Sequence, residues 1–506
     1  MHLQQLREPL LQFEHQQWLV DPRDGLTLFG PLDHHRLPAL KFGAIGTPDG
    51  LARLRRWLHQ LQEPIVSAET PEELLYRPIF PGFEAAFRTQ LSSEPHAVIE
   101  VNAEELDRRV RLSQIHHRVY QTVDFYAEAI LKFNRSEENA NVDLWFVVVP
   151  PTVKRWCSPQ SKLRRTEMIF DDELVTLREA VRQRSQFSLF PVPTKGVEAF
   201  TYEPNFHHQL KARLLKEAPP LQIVQEDTIA PEDFPGAFGK PSRKVDKPST
   251  LAWNFSSGAY YKASGRPWKL ARVRPGVCYL GYVFKKDQRF QETKNVCCAA
   301  QMFLDSGDGV VFKGAIGPWY CEEDGEFHLS REGAMQVMQL AISTYKLKSD
   351  DGKPPAEVFI HGRKSITYEE WEAFREVAGD STKLVFVKIR RANTKIYGHA
   401  GYPLPRATAL VQHARSGLLW TVGFVPRLQS FLGKEVPSPY QIEIERGSAD
   451  IMRVLTDILA LTKLNYNSCL YGDGQPVTLR FANQVGEILT AAPAIPDPPL
   501  PFKYYI

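Results

Sequence analysis

The sequence predicts a mixed α/β protein in which a helix-layered parallel sheet precedes a mixed sheet that opens antiparallel. Three observations predict it. The run DLWFVVVP at 143–150 is a continuously apolar strand entered from a long helix, the signature of a strand buried on both faces. Beyond Gly276, VCYLGYVFK, CCAAQMFLD and GVVFKGAIG follow one another as β-rich runs parted by polar turns. Helices and strands alternate after them.

The elements follow in chain order. The first hundred or so residues are broken by turn signals (DPRDGLTLFGPLD, IGTPDG, FPGFEAAF) around one amphipathic helix at 51–61. A long helix is expected over 104–133, then the apolar strand. A helix at 206–216, a short strand at 221–224, a Pro- and Gly-rich loop to Pro248 and a helix at 254–263 complete this α/β passage, and Pro267 and Gly276 mark a boundary. In the second half SGDG joins the last two β runs as a hairpin. A helix (330–345), the strand EVFIHG, a helix (368–378) and the strand LVFVKIRR come next, and two helices frame PVTLRF near the end. Antiparallel strands followed by alternating α and β is the order of an RNase H-like domain.

Composition bounds the function classes. At 506 residues the chain accommodates two to four domains, and 43% hydrophobic with 24% charged residues is globular usage. No apolar run approaches the roughly 18 residues of a membrane span, and the N-terminus lacks the order of a secretory signal, so a cytoplasmic protein is expected. The six cysteines have no paired CxxC spacing, which argues against zinc or a disulfide framework. Charge is unevenly spread. Between Pro235 and Lys294 thirteen Lys and Arg face three acids, in a chain whose total is +3. A second stretch, Lys383 to Arg406, holds six cations and no acid. Such concentrations beside aromatics suit a polyanion, although a solvated surface gives the same count.

The motifs FHHQLKARLL, AYYKASGRPW, CYLGYVFKK, VFIHGRK, LTKLNYNS, PVTLRFAN and the final FKYYI, in this order, resemble the short prokaryotic Argonautes. The similarity is nearest to the subgroup that works with a TIR-APAZ partner protein. It implies an N-terminal segment over 1–110, a Rossmann-like MID domain over 111–270, an inactive RNase H-like PIWI domain over 271–506, and no PAZ domain.

The resemblance also assigns residues. His207 and Lys211 lie four apart on one helix face and can aim two donors at one phosphate. With Gln222 and Lys262 they are expected to hold the 5′ phosphate of a guide RNA. A further cation often precedes the last lysine by a turn; that place is Gly258 here. The carboxylate of Ile506 is expected to share Mg²⁺ with the guide phosphate, the alternative being an apolar tail docked in a groove.

Two-metal cleavage needs several converging acidic or His ligands. The expected positions are Val283, two residues after Gly281, Gly362 in VFIHGRK, and Asn483 in RFANQ, none able to hold a metal pair. Asp305, Asp308 and Asp473 sit in turn contexts that favour Asx turns over metal ligation. The resemblance therefore implies an RNA-guided binder of single-stranded target DNA, the sensing subunit of a defence complex, with NAD hydrolysis by the TIR-APAZ partner. A sirtuin-like APAZ effector is the alternative partner, and a metal-dependent nuclease with acids in another register is the alternative function.

Overall fold

The computed structural model describes residues 1–33, 37–136, 141–171, 173–185, 196–236, 240–272, 274–286, 296–303, 309–317, 326–349, 351–397, 403–493 and 501–506, with side chains set aside at 183–185, 286, 296–303 and 309–317. Asp305, Asp308 and Cys321 lie outside these residues.

Two sheets organise the molecule. The first is parallel, in the order Ala97–Glu100, Phe42–Gly46, Leu144–Val149, Leu221–Gln225. Every residue of Leu144–Val149 is buried, because helices cover both faces of this central strand. Gly43 admits the Trp145 ring, whose atoms stand 2.6 Å from where a Cβ would be. Two of the four strands come from the first 110 residues, so the sheet crosses the boundary drawn there. The long helix expected over 104–133 is two helices, Ala103–Val110 and Ile115–Ser136. Between them Ser113 N donates to Ile169 O and Ile169 N to Arg111 O, so the break is filled by pairing with a distant segment.

The second sheet has nine strands among the described residues, in the order His2–Gln5, Thr408–His413, Ser416–Leu419, Tyr440–Arg446, Lys383–Arg391, Glu357–Gly362, Val277–Lys286, Val296–Phe303, Gly309–Gly317. The last three pair antiparallel, whereas Glu357–Gly362 runs parallel to both Val277–Lys286 and Lys383–Arg391. That is the antiparallel-first, then alternating order read from the sequence. Its two faces have separate cores. Cys278, Leu280, Tyr282, Val358, Ile360 and Phe386 face the helices Arg331–Lys348 and Tyr368–Ala378; Tyr279, Val283 and Phe359 face the other way, where the helix Val477–Leu489 packs. PVTLRF forms the opening of this last helix rather than a segment between two: Pro476 ends the loop and the helical run begins at Val477.

The helix approaches the strand very closely. A Cβ on Gly281 would lie 2.1 Å from the Thr478 carbonyl oxygen. Backbone cannot yield as a side-chain tip does, so Gly281→Ala should destabilise the protein by about 1–3 kcal/mol, read as a lower urea midpoint at unchanged slope. An unchanged midpoint would mean that the helix does not seat there.

Candidate functional site

One cavity gathers residues from four distant parts of the chain. The helix Phe206–Leu214 is capped by Asn205, whose side chain accepts from His208 N, and it buries Phe206, Leu210 and Leu214 in the core of the parallel sheet. This fixes the orientation of His207 and Lys211. Gln222 lies on the edge strand Leu221–Gln225, and Lys262 ends the helix Pro248–Lys262. The chain's last residue, Ile506, closes the wall from the other half. His207, Lys211, Gln222, Lys262 and Ile506 all line this cavity of about 390 Å³.

Its electrostatics are unusual. Lys154, Lys211, Arg243 and Lys262 contribute four cations to the lining, and no Asp or Glu does. The outer two are engaged: Lys154 donates to Gln225 Oε1 at 3.0 Å, and Arg243 pairs with Asp227 at 2.6 Å. The inner two are buried and, among the described residues, pair with no Asp or Glu side chain. Lys211 Nζ donates to the main-chain oxygens of Ile506 at 2.6 Å and Tyr505 at 3.3 Å. Lys262 Nζ donates to Asn467 Oδ1 at 3.3 Å, with a weaker contact to Gln222 Oε1 at 3.5 Å.

Burial, and then the repulsion of Lys262, holds the Lys211 ammonium well below the usual lysine range. Burial pushes Lys262 down to about 7. His207 is exposed to solvent yet surrounded by protein; desolvation, then Lys211, His208 and Lys262, keeps its imidazolium disfavoured. The arrangement gathers basic groups whose charged forms burial disfavours and a bound anion would favour.

Asn467 was not singled out in the sequence. It belongs to LTKLNYNS, far from Lys262 in the chain, and only the folded arrangement brings them together. It also occupies the space beside Gly258, where a Cβ would lie 3.5 Å from Asn467 Oδ1 and from Gln222 Oε1.

The expected nuclease positions separate. Val283 faces the helix Val477–Leu489, which carries Asn483, but Gly362 does not. In the parallel register Gly362 stands opposite Tyr282, and His361 opposite Gly281. Residues alternate faces, so position 362 points to the other core, where a Cβ would meet the Phe386 ring at 2.7 Å. The residue on the Val283 face is His361, which corrects the assignment of Gly362 to this group. His361 is fully buried, its Nδ1 lies 3.0 Å from Thr478 Oγ1, and burial lowers its pKa to about 3, so it is neutral.

The acid nearest to Asn483 along its helix is Glu487. It accepts from Asn483 Nδ2 at 3.2 Å and from Lys285 Nζ at 2.7 Å. Asp473 is held by Asn465 Nδ2 at 2.9 Å and by Arg480, and accepts from Gln475 N two residues on, the geometry of an Asx turn. Among the described residues no group of three or more His, Cys, Asp or Glu could hold a metal.

Each basic stretch is neutralised in part, and Lys240, Lys244 and Arg272 stay exposed. Arg266 pairs with Asp33, Arg274 with Glu357 and Asp457, Lys285 with Glu487, Lys388 with Glu443 and Glu445, and buried Arg406 with Glu8. These acids lie outside the counted segments. Arg390, Arg391 and Lys395 remain exposed. The local counts thus overstate the free charge of either stretch, while the cavity lining holds four Lys and Arg side chains and no Asp or Glu.

No helix among the described residues is long and apolar enough to cross a membrane. No protein-family model matches the sequence, and no curated protein matches it. Solved structures do. The chain is similar to Clostridium butyricum Argonaute bound to a guide DNA with a 5′ deoxycytidine and a 19-mer target DNA, at 12% identity and a TM-score of 0.61, over 97% of this chain and 53% of that one. It is similar to A. aeolicus Argonaute at 12% identity and 0.52, over 98% and 54%, and to Drosophila Piwi at 13% and 0.58, over 99% and 56%. The chain spans about half the length of these proteins. At such identities the likeness is one of fold: a mixed α/β architecture of parallel and mixed sheets resembling the MID-PIWI portion of Argonautes.

Proposed function

We propose that this chain binds a guide strand by its 5′ phosphate and uses the paired guide to recognise a complementary strand. The acid-free cavity with two buried lysines carries the reading. A phosphate monoester, with about −1.5 to −2 charge at pH 7, matches three convergent nitrogen groups and Gln222. Strand pairing would then supply sequence specificity, leaving the protein to grip phosphates and shape.

The finer reading follows the family resemblance. The guide is RNA and the target single-stranded DNA from an invading element. The chain cleaves nothing itself, since Val283, His361 and Asn483 offer one neutral imidazole where several anionic ligands are needed. Its signal passes to a TIR-APAZ partner that hydrolyses NAD, with a sirtuin-like effector on the same scaffold as the second candidate. The APAZ region would stand in for part of the length by which full Argonautes exceed this chain. Mg²⁺ fits the proposal as a hard cation: the Ile506 main-chain oxygen, Gln222 Oε1 and Asn467 Oδ1 offer oxygens in the same cavity. There it would supply charge between the phosphate and these groups.

Three outcomes are expected. First, His207→Ala with Lys211→Ala should weaken binding of a 5′-phosphorylated guide by roughly two to four decades, each charge-assisted bond being worth about 1.5 to 3 kcal/mol. Removing the 5′ phosphate should then cost the variant little more. Additive losses in this double cycle would place the anchor elsewhere.

Second, affinity for the phosphorylated guide should fall as pH rises above about 7. Lys262 has a pKa of about 7 here against 10.5 unfolded. Bound phosphate raises it again, so above pH 7 binding must take up a proton, and below pH 7 the proton is already there. Below about 6 the phosphate itself loses charge, which puts the optimum near pH 6 to 7. A flat profile from pH 6 to 9, measured by fluorescence anisotropy, would contradict this.

Third, guide, labelled matched DNA and Mn²⁺ or Mg²⁺ should give no cleavage products, whereas NAD loss should need the partner, guide and target together. Cleavage that disappears on changing Asp305, Asp308 or Asp473 would restore the nuclease alternative.

A further inference from the structure

A chain of titratable groups runs from the cavity helix to the strand Val277–Lys286 of the nine-stranded sheet. His208 is the neighbour of His207, their rings meeting edge to face with centroids 5.7 Å apart. On its far side His208 Nδ1 lies 3.2 Å from Glu203 Oε2, and Nε2 lies 3.5 Å from Glu487 Oε2. The other oxygen of Glu487 takes Lys285 Nζ at 2.7 Å and Asn483 Nδ2 at 3.2 Å. Lys285 is two residues beyond Val283 on the same strand. A main-chain bond from Glu203 N to Ala491 O, 2.9 Å, ties the start of this segment to the end of the same helix.

Glu487 therefore meets Lys285 on one oxygen and the His208 ring on the other, one from each half of the molecule. All four side chains of the chain are at most a quarter exposed, at 23% for Lys285, 25% for Glu487, 18% for His208 and 8% for Glu203, so solvent screens them only in part. We propose that Glu487 and His208 are positioning residues that couple occupation of the phosphate cavity to the strand Val277–Lys286. A dianion beside His207 and Lys211 pulls on the helix that carries His208, and the change reaches Lys285 through the shared carboxylate. Coupling of this kind is reciprocal: what disturbs Glu487 must alter how strongly the phosphate is held.

The inference rests on the guide-anchor reading, and its test separates the two. The measured quantity is the ratio of dissociation constants for an oligonucleotide with and without its 5′ phosphate, in the full chain. Glu487→Gln keeps the shape and removes the charge; Asn483→Asp places a second carboxylate against Glu487 and serves should the first variant fold poorly. Each should change the ratio by about fivefold or more, the lower bound of ordinary coupling energies, while exposed Glu369→Gln leaves it unchanged. A merely structural role would weaken both oligonucleotides equally and leave the ratio alone. A wild-type ratio near one overturns the anchor reading and this one with it. A large wild-type ratio that both variants preserve overturns the coupling only.

Discussion

Two lysines buried in one cavity whose lining holds no Asp or Glu side chain are the constraint to which the rest of the molecule conforms. An unpaired buried charge is expensive, and a protein ordinarily pairs it or neutralises it. Here neither Lys211 nor Lys262 has an Asp or Glu partner: Lys211 meets oxygens of Ile506 and Tyr505, Lys262 those of Asn467 and Gln222. Neutral acceptors such as those of Lys262 partly solvate an ammonium group without cancelling its charge. An Asp at position 467 would have formed a tighter pair and left less field for a ligand. The cavity thus keeps a positive potential at a cost in stability, which an anion, if bound as proposed, would offset.

The contrast with the ionic contacts elsewhere sharpens the point. Asp21 and Arg23 are buried and paired at 2.7 Å; burial raises the Asp21 pKa, and the Arg23 charge and bonds more than reverse this, leaving it lowered. Glu8 is treated in the same way by Lys463 and Arg406. These pairs knit the N-terminal segment to the second half of the chain and have nothing left for a ligand. Carboxylates compensate these buried charges, whereas the two cavity lysines, like buried Arg118 with its Trp156, Leu112 and Ser161 oxygens, meet no Asp or Glu side chain; what sets the lysines apart is that they line one cavity.

Much of the fold was legible because hydrophobic runs and turn signals are local. Leu144–Val149, Leu221–Gln225, Glu357–Gly362 and Tyr368–Ala378 are where the sequence put them to within a residue or so. What failed was non-local. The break after Val110 depends on Ile169, and Arg274 pairs with Asp457 and Arg406 with Glu8 across 183 and 398 residues, so local charge counts overstated the basic surface. The misplaced Gly362 has a different origin. A position was counted from a motif, but which face a strand residue serves is set by its register, and the pairing of His361 with Gly281 is not visible in one sequence. The cavity residues on helices were legible through spacing. Asn467 lies on a loop, and only its convergence with Lys262 distinguishes it from any other asparagine.

The position of the cavity also says what the site requires. Gln222 to Gln225 and Lys154 line it, the former ending one parallel strand and the latter following the end of its neighbour Leu144–Val149, and crevices at the carboxyl ends of parallel strands are where such sheets bind ligands. An open sheet end alone would leave Lys211 and Lys262 facing water. Asn467 and Ile506 close it, and both come from the half of the chain built on the nine-stranded sheet. The two lysines are therefore desolvated only when both sheets are folded and docked, so the field that selects an anion is a property of the interface. Ligand affinity and the docking of the two halves are then linked quantities: a phosphate that favours the closed cavity stabilises the interface that forms it, by an amount set by its concentration relative to its dissociation constant.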